Sequence, residues 1–360
     1  MFPRPALPLH PLIGLALLIA AACGISRVHA APATPQPPVM IGYLPVDAGL
    51  EAALATVDLS LYTHIDLAFA NPIPGGALTE DGAFTCASTA DGTMLTVPQL
   101  RDAVQRIHAA GPKVLLSIGG GVLPACSGDW NALLGPAHAA ALVEQLVDIV
   151  DRTGLDGIDV DLENDILYGL VRAGTYAPFI AQLSAALKAR GKLLTCATGA
   201  DDHSRIPDSS FDDFDYIGVM SYDDVGPSWG DAGGEHASLR KAVLDLDYWL
   251  RLGVPRDRLV LGIPFYGYGF GSYAPDYTFR AIAAAFGDAV RDHDTIGSAC
   301  ARCSYITYNS LQTLRAKAAL ARRLAGGIMV WNIAQDTDDA RAGKATRAVL
   351  DGKPAEGVGD

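Results

Sequence analysis

Asp156-Gly157-Ile158-Asp159-Val160-Asp161-Leu162-Glu163 is the stretch on which the fold turns. Apolar and acidic residues alternate through it with the period of a β-strand, whose successive side chains point to opposite faces. Ile158, Val160 and Leu162 share one face, and Asp159, Asp161 and Glu163 share the other. Seven further short runs resemble it in length: Val39–Tyr43, His64–Ala70, Lys113–Ile118, Leu193–Thr198, Asp215–Tyr222, Leu259–Tyr266 and Gly327–Trp331. Their β-branched and aromatic content suits buried parallel strands.

Between the runs lie helical patterns over Pro98–Ala110, Pro136–Thr153, Tyr176–Arg190, Ser238–Leu252 and Asn309–Ala325, and Ala340–Leu350 closes the chain. Several of these end on a glycine, as helix C-termini often do. Weaker patterns cover Leu50–Ser60 and the surroundings of Phe211. Eight strands, each followed by a helical element, predict an α/β protein: a single-domain (β/α)8 TIM barrel over residues 39–351. In such a barrel the apolar face of the fourth strand meets the helices. The three acids then stack inside, along about 13 Å of strand. Buried, uncompensated carboxylates are costly, so stability alone does not account for them. A row of this kind shares protons: one aspartate is held neutral, and Glu163 is pushed towards the role of an acid.

The chain has 360 residues, 50% hydrophobic and 19% charged, enough apolar matter for a large core. Its net charge of −13, from 27 basic and 40 acidic residues, argues against nucleic acid or an anionic membrane as partner. The N-terminus reads as a signal peptide over residues 1–30: Arg4, an apolar run Leu12–Ala22, then Val28-His29-Ala30 before the cleavage point. That run falls short of the roughly 20 residues that span a bilayer, and no other stretch reaches that length. Lipid attachment at Cys23 is the weaker alternative. A Pro-rich linker (31–38) follows, and a polar tail (352–360) ends the chain. Export to the periplasm or the medium makes disulfides reasonable. Cys300 and Cys303 are one candidate pair and Cys86 with Cys126 a second, while Cys196 in its apolar run is expected to be a buried free thiol. Cys and His spacings fit no zinc site, so neither metal nor other cofactor is expected.

The motif Asp156-x-x-Asp159-x-Asp161-x-Glu163 resembles the signature of glycoside hydrolase family 18, the chitinase family. Other segments agree in order: Gly42-Tyr43, Ala68-Phe69-Ala70, Ser117-Ile118-Gly119-Gly120, Met220-Ser221-Tyr222-Asp223, Gly262–Gly267 and Gly326–Trp331. The resemblance spans residues 39 to 336. It implies retaining hydrolysis of β-1,4-linked N-acetylglucosamine in which the substrate's own acetamido oxygen is the nucleophile. Glu163 would be acid and then base, and Asp161 would orient the acetamido N–H. Asp159 would share a proton with Asp161, and Tyr222 would hold the acetamido group. Trp331 would form the floor of the sugar site, with Asp223, Met220, Phe69 and Tyr266 also at the substrate. Tyr43 and Ser117 are expected to hydrogen-bond around the acids.

Some residues depart from the family pattern. Tyr268 stands where many relatives carry arginine, and Asn164 follows Glu163 where one subgroup has an aromatic residue. The span Gly267–Gly326 leaves limited room for the insertion that deepens the cleft of processive members, which favours internal cleavage. Trp130 and Trp229 are expected in flanking sugar subsites and Trp249 in the core, while Tyr266 and Tyr268 could be either lining or core. The expected partner is an N-acetylglucosamine oligo- or polysaccharide bound by a monomer. Alternatives are an enzyme acting on N-glycans or peptidoglycan, and a sugar-binding protein without catalysis.

Overall fold

The computed structural model describes residues 37–353. The signal peptide, Cys23, residues 31–36 of the linker and residues 354–360 of the tail lie outside the described residues. The eight expected strands form a closed parallel barrel: Val39–Pro45, His64–Ala70, Lys113–Gly120, Gly157–Leu162, Leu193–Thr198, Tyr216–Val219, Leu259–Pro264 and Gly327–Trp331. Each strand pairs with its neighbours in this order, and the eighth closes on the first. No described helix is long and apolar enough to cross a membrane.

Alternation divides the interior into two cores. Ile158, Val160 and Leu162 pack outward into the large core shared with the helices, whose members include Leu142, Leu146 and Ile180. Inside the barrel a smaller cluster gathers Ile41, Tyr43, Ala68, Ala197, Val260 and Met329. The helices start where capping chemistry allows. Thr96 and Gln99 form a reciprocal capping box before Val97–Ala110, and the Ser238 and Ser310 hydroxyls accept from the third backbone N–H of their helices.

Three strands end earlier than their runs suggest: the seventh stops at Pro264, and the other two departures serve the C-terminal mouth of the barrel. The fourth stops at Leu162, and Glu163 precedes an unanticipated helix, Asn164–Ala173. The sixth covers only Tyr216–Val219, so Met220 to Asp223 leave the sheet and turn over the barrel mouth. A three-stranded sheet, Thr79–Glu80, Ala83–Ser88 and Met94–Thr96, follows the second barrel strand.

The span after the seventh strand corrects the expectation of little room. It holds a four-stranded antiparallel sheet built on Tyr266–Phe270, with Asp276–Thr278 on one side and Tyr305–Thr307 then Thr295–Gly297 on the other, plus a helix Phe279–Phe286. Strands of three to five residues joined by turns need far less chain than a barrel repeat, which is why the span accommodates them. With the insertion present, its length gives no reason to favour internal cleavage. Both expected disulfides are present, Cys86–Cys126 and Cys300–Cys303, with Cα separations of 5.6 and 5.1 Å, and Cys196 is free and buried.

Candidate active site

Register explains how the acids are held. Asp159 lies level with Ser117 on the third strand and Thr195 on the fifth. Ser117 Oγ and Tyr43 OH donate to its Oδ2 at 2.6 and 2.9 Å, and Thr195 Oγ1 donates to its Oδ1 at 2.6 Å. Burial raises the Asp159 carboxyl above its ordinary range, and these three hydroxyls pull against that. Two residues further on, Asp161 is buried with its Oδ1 unpartnered. Burial first, then the charges of Glu163 and Asp159, hold it well above the carboxylate range. Burial and mutual repulsion thus favour a shared proton in this row over three full charges.

Glu163 reaches the cleft floor. Its carboxyl is walled in although the residue as a whole is partly open, and it is raised to about 7, by burial first and then by the charge of Asp223. The Ser-Ile-Gly-Gly segment makes room for these groups. A Cβ on Gly119 would lie 2.4 Å from the Asp161 carbonyl oxygen, and the backbone there has φ +102°. One on Gly121 would lie 2.9 Å from Glu163 Oε1. Both positions need glycine for close approach.

A cleft of about 1170 Å³ opens above the acids. Asp161, Glu163, Met220, Tyr222, Asp223, Phe69 and Trp331 line it, as expected from the sequence. Trp331 and Phe69 stack at 5.5 Å between ring centroids with their planes 23° apart, and Tyr43 meets Trp331 edge-on at 5.7 Å. Trp331 and Phe69 make an aromatic floor, with Tyr43 buried behind it.

Tyr43 and Ser117 are buried beneath the cleft and hydrogen-bond Asp159, the place expected of them among the acids, and they do not line the cleft itself. Tyr266 is also buried and donates to Asp223 Oδ1 at 2.6 Å, whereas Tyr268 lines the cleft. Trp130 is not a subsite residue. The short helix Trp130–Leu133 turns it into the core, 1% exposed, where its Nε1 donates to Asn71 Oδ1. Trp229 stands at the rim, 43% exposed, with its Nε1 donating to the Asp223 carbonyl at 2.9 Å, and Trp249 is core.

Four residues escaped the sequence reading. Thr195 and Asp66 could have been found, because each is a polar residue at an inward position of an apolar strand. Asp66 is fully buried, neither oxygen has a partner, and burial followed by the charge of Asp159 raises it well above its ordinary range. Asn71 bonds the Gly119 carbonyl and Trp130. His236 approaches Asp223 from a loop thirteen residues away, and no local pattern marks it.

Comparison with known proteins agrees with this architecture. A chitinase-like effector of Moniliophthora roreri is 27% identical over 268 residues, 66% of this chain and 61% of its own length. Chitinase 63 of Streptomyces plicatus is 29% identical over 329 residues, 76% of this chain and 53% of its own length. The chain thus spans little more than half the length of these relatives. The crystal structure of the chitinase ChiB from the chitin utilization locus of Flavobacterium johnsoniae matches with a TM-score of 0.74 at 28% identity, covering 88% of this chain and 94% of that one. The profile of the Glycosyl hydrolases family 18 matches residues 40–336, nearly the whole barrel and its insertion, and the chain belongs to that family.

Proposed function

We propose that the protein is an exported, retaining glycoside hydrolase that cleaves β-1,4 linkages in N-acetylglucosamine polymers and oligosaccharides. The observation that carries this reading is the buried, unpartnered Asp161 Oδ1 beside a Glu163 whose carboxyl is raised to about 7. A buried polar atom without a partner is costly, and a substrate acetamido N–H would relieve it.

In the first step Asp161 receives that N–H and turns the acetamido carbonyl oxygen towards the anomeric carbon. The carbonyl oxygen bonds to that carbon as the glycosidic bond breaks, and Glu163 gives its proton to the leaving oxygen. The oxazolinium ion carries its positive charge beside Asp161. Glu163, now ionised, then takes a proton from the water that attacks the anomeric carbon, and the ring opens with net retention. Trp331 and Phe69 supply an apolar floor for the pyranose, and Tyr222 and Met220 close around the acetamido group. Asp159, fixed by three hydroxyls, lies directly below Asp161 and would share its proton.

The charge of the cleft favours chitooligosaccharides over peptidoglycan. Asp47, Asp201, Asp223 and Asp224 line it against a single cation, Lys241, which already pairs with Asp224 and Asp245. The lactyl carboxylate of muramic acid would meet like charge there. Two disulfides support an oxidising compartment. The test is mass spectrometry of products from N-acetylglucosamine hexamer, an N-glycopeptide and peptidoglycan, with Glu163→Gln as control. Short chitooligosaccharides from the hexamer, absent with the variant, are expected. Cleavage that survives Glu163→Gln would refute the mechanism.

A further inference from the structure

Asp223 sits in a left-handed backbone conformation, φ +62°, where a non-glycine residue persists only if its surroundings hold it. Tyr266 OH donates to its Oδ1 at 2.6 Å, and Trp229 bonds its carbonyl oxygen. A third contact comes from behind. His236 is wholly buried, and its Nδ1 lies 3.4 Å from the same Oδ1, at the outer limit of hydrogen bonding. Its Nε2 is also buried and has no partner.

The imidazole is fixed by the insertion. The His236 backbone N–H donates to Thr307 Oγ1 on the strand Tyr305–Thr307, and its carbonyl accepts from the Asp224 N–H. Its ring packs against Tyr266 and Tyr268 at 5.2 and 5.1 Å between centroids. One residue on, the Ala237 carbonyl accepts from Lys317 Nζ and Asn309 Nδ2. Apart from Tyr268 and Asp224, no residue of this frame lines the cleft, and the contacts reach Asp223 from behind.

We propose that His236 is a positioning residue that, as the neutral tautomer with its proton on Nδ1, donates to Asp223 and keeps that carboxylate aimed at the cleft beside Glu163. Burial holds His236 below its ordinary range, so the neutral form is the one that persists. The charged or titratable groups facing it are Asp223, Lys317 on the helix Leu311–Leu324, Tyr266 and Tyr268. Those facing Asp223 are Glu163, Tyr222, Tyr266, Tyr268 and His236. Asp223, so placed, is the neighbouring charge that raises Glu163. The insertion thus acts on the chemistry through His236 as well as walling the cleft. This inference rests on the glycosidase reading above for its kinetic consequence but not for its tautomer.

Two measurements on the full chain test it. In protein with 15N-labelled histidine, the imidazole shifts of His236 are expected to report a protonated Nδ1 and a bare Nε2 between pH 5 and 7; a protonated Nε2 with bare Nδ1 overturns the proposal, whatever the enzyme's activity. In the pH profile of kcat/KM on N-acetylglucosamine oligosaccharides, His236→Leu is expected to move the basic limb, where Glu163 loses its proton, down by about one pH unit, since Asp223 is no longer held beside it. His236→Asn, which keeps an N–H donor, is expected to bring the limb back. A folded His236→Leu protein with the parental limb refutes the assignment. If that variant does not fold, the tautomer and the Asn variant decide. A parent without turnover on these oligosaccharides refutes the glycosidase reading and leaves the tautomer measurement to judge His236.

Discussion

Replacing Glu163 by glutamine should make the protein more stable at neutral pH while abolishing turnover. The folded carboxyl is raised to about 7 from an ordinary 4.5. A carboxyl raised on folding contributes stability that is complete below the unfolded value and is lost as pH climbs through the folded one. For Glu163 that window runs from about pH 4.5 to about 7. The difference of roughly 2.5 pH units, at 1.36 kcal/mol each, amounts to at most about 3 kcal/mol. Spread over a protein of this size, that is about 5 °C in Tm. Glutamine has nearly the same shape and never ionises, so the variant escapes the loss. Urea denaturation of both proteins at pH 4.5 and pH 7.5 should therefore give a stability gap that is small in acid and opens as pH rises. A gap that stays constant with pH, or a parent more stable than the variant at pH 7.5, would refute the claim that Glu163 is held neutral by its surroundings.

Further outcomes follow from other buried groups and from the cross-links. Lys317 is buried and lowered to about 7, with burial as the leading cause, so its cost is greatest where it is charged. Lys317→Met should stabilise the protein below pH 7, by up to about 5 kcal/mol, with the gain vanishing towards pH 10 as the unfolded lysine also loses its proton. The Ala237 carbonyl keeps its bond from Asn309, so little is lost in exchange. Thr195→Val removes one of the three donors to Asp159 without changing shape and should cost about 2 kcal/mol in chemical denaturation. Replacing both Cys86 and Cys126 by alanine should cost about 4 kcal/mol, because that bridge spans 40 residues; the same change at Cys300 and Cys303, three apart, should cost less than half as much.

The sequence by itself determined the barrel and the central acids. Strand alternation is a local property, and it sends Asp159 and Asp161 inward whatever packs around them, because only the face with Ile158, Val160 and Leu162 can meet the helices. Spacing along the chain likewise yielded the eight strands and the Cys300–Cys303 pair, whereas Cys86–Cys126 was a candidate that only the fold brought within bonding distance. Tertiary structure decided which neighbours those residues meet. Trp130 and Trp229 both lie in loops, yet one is folded under a short helix and the other stands at the cleft rim. Which acid Tyr43 supports, Asp159, was settled only by closure, since the first and fourth strands face one another only across a closed barrel. His236 meets Asp223 because a sheet of short strands holds its loop in place. Such contacts carry no sequence period: they arise between segments distant in the chain, and their geometry exists only once the barrel has closed and the insertion has packed against it.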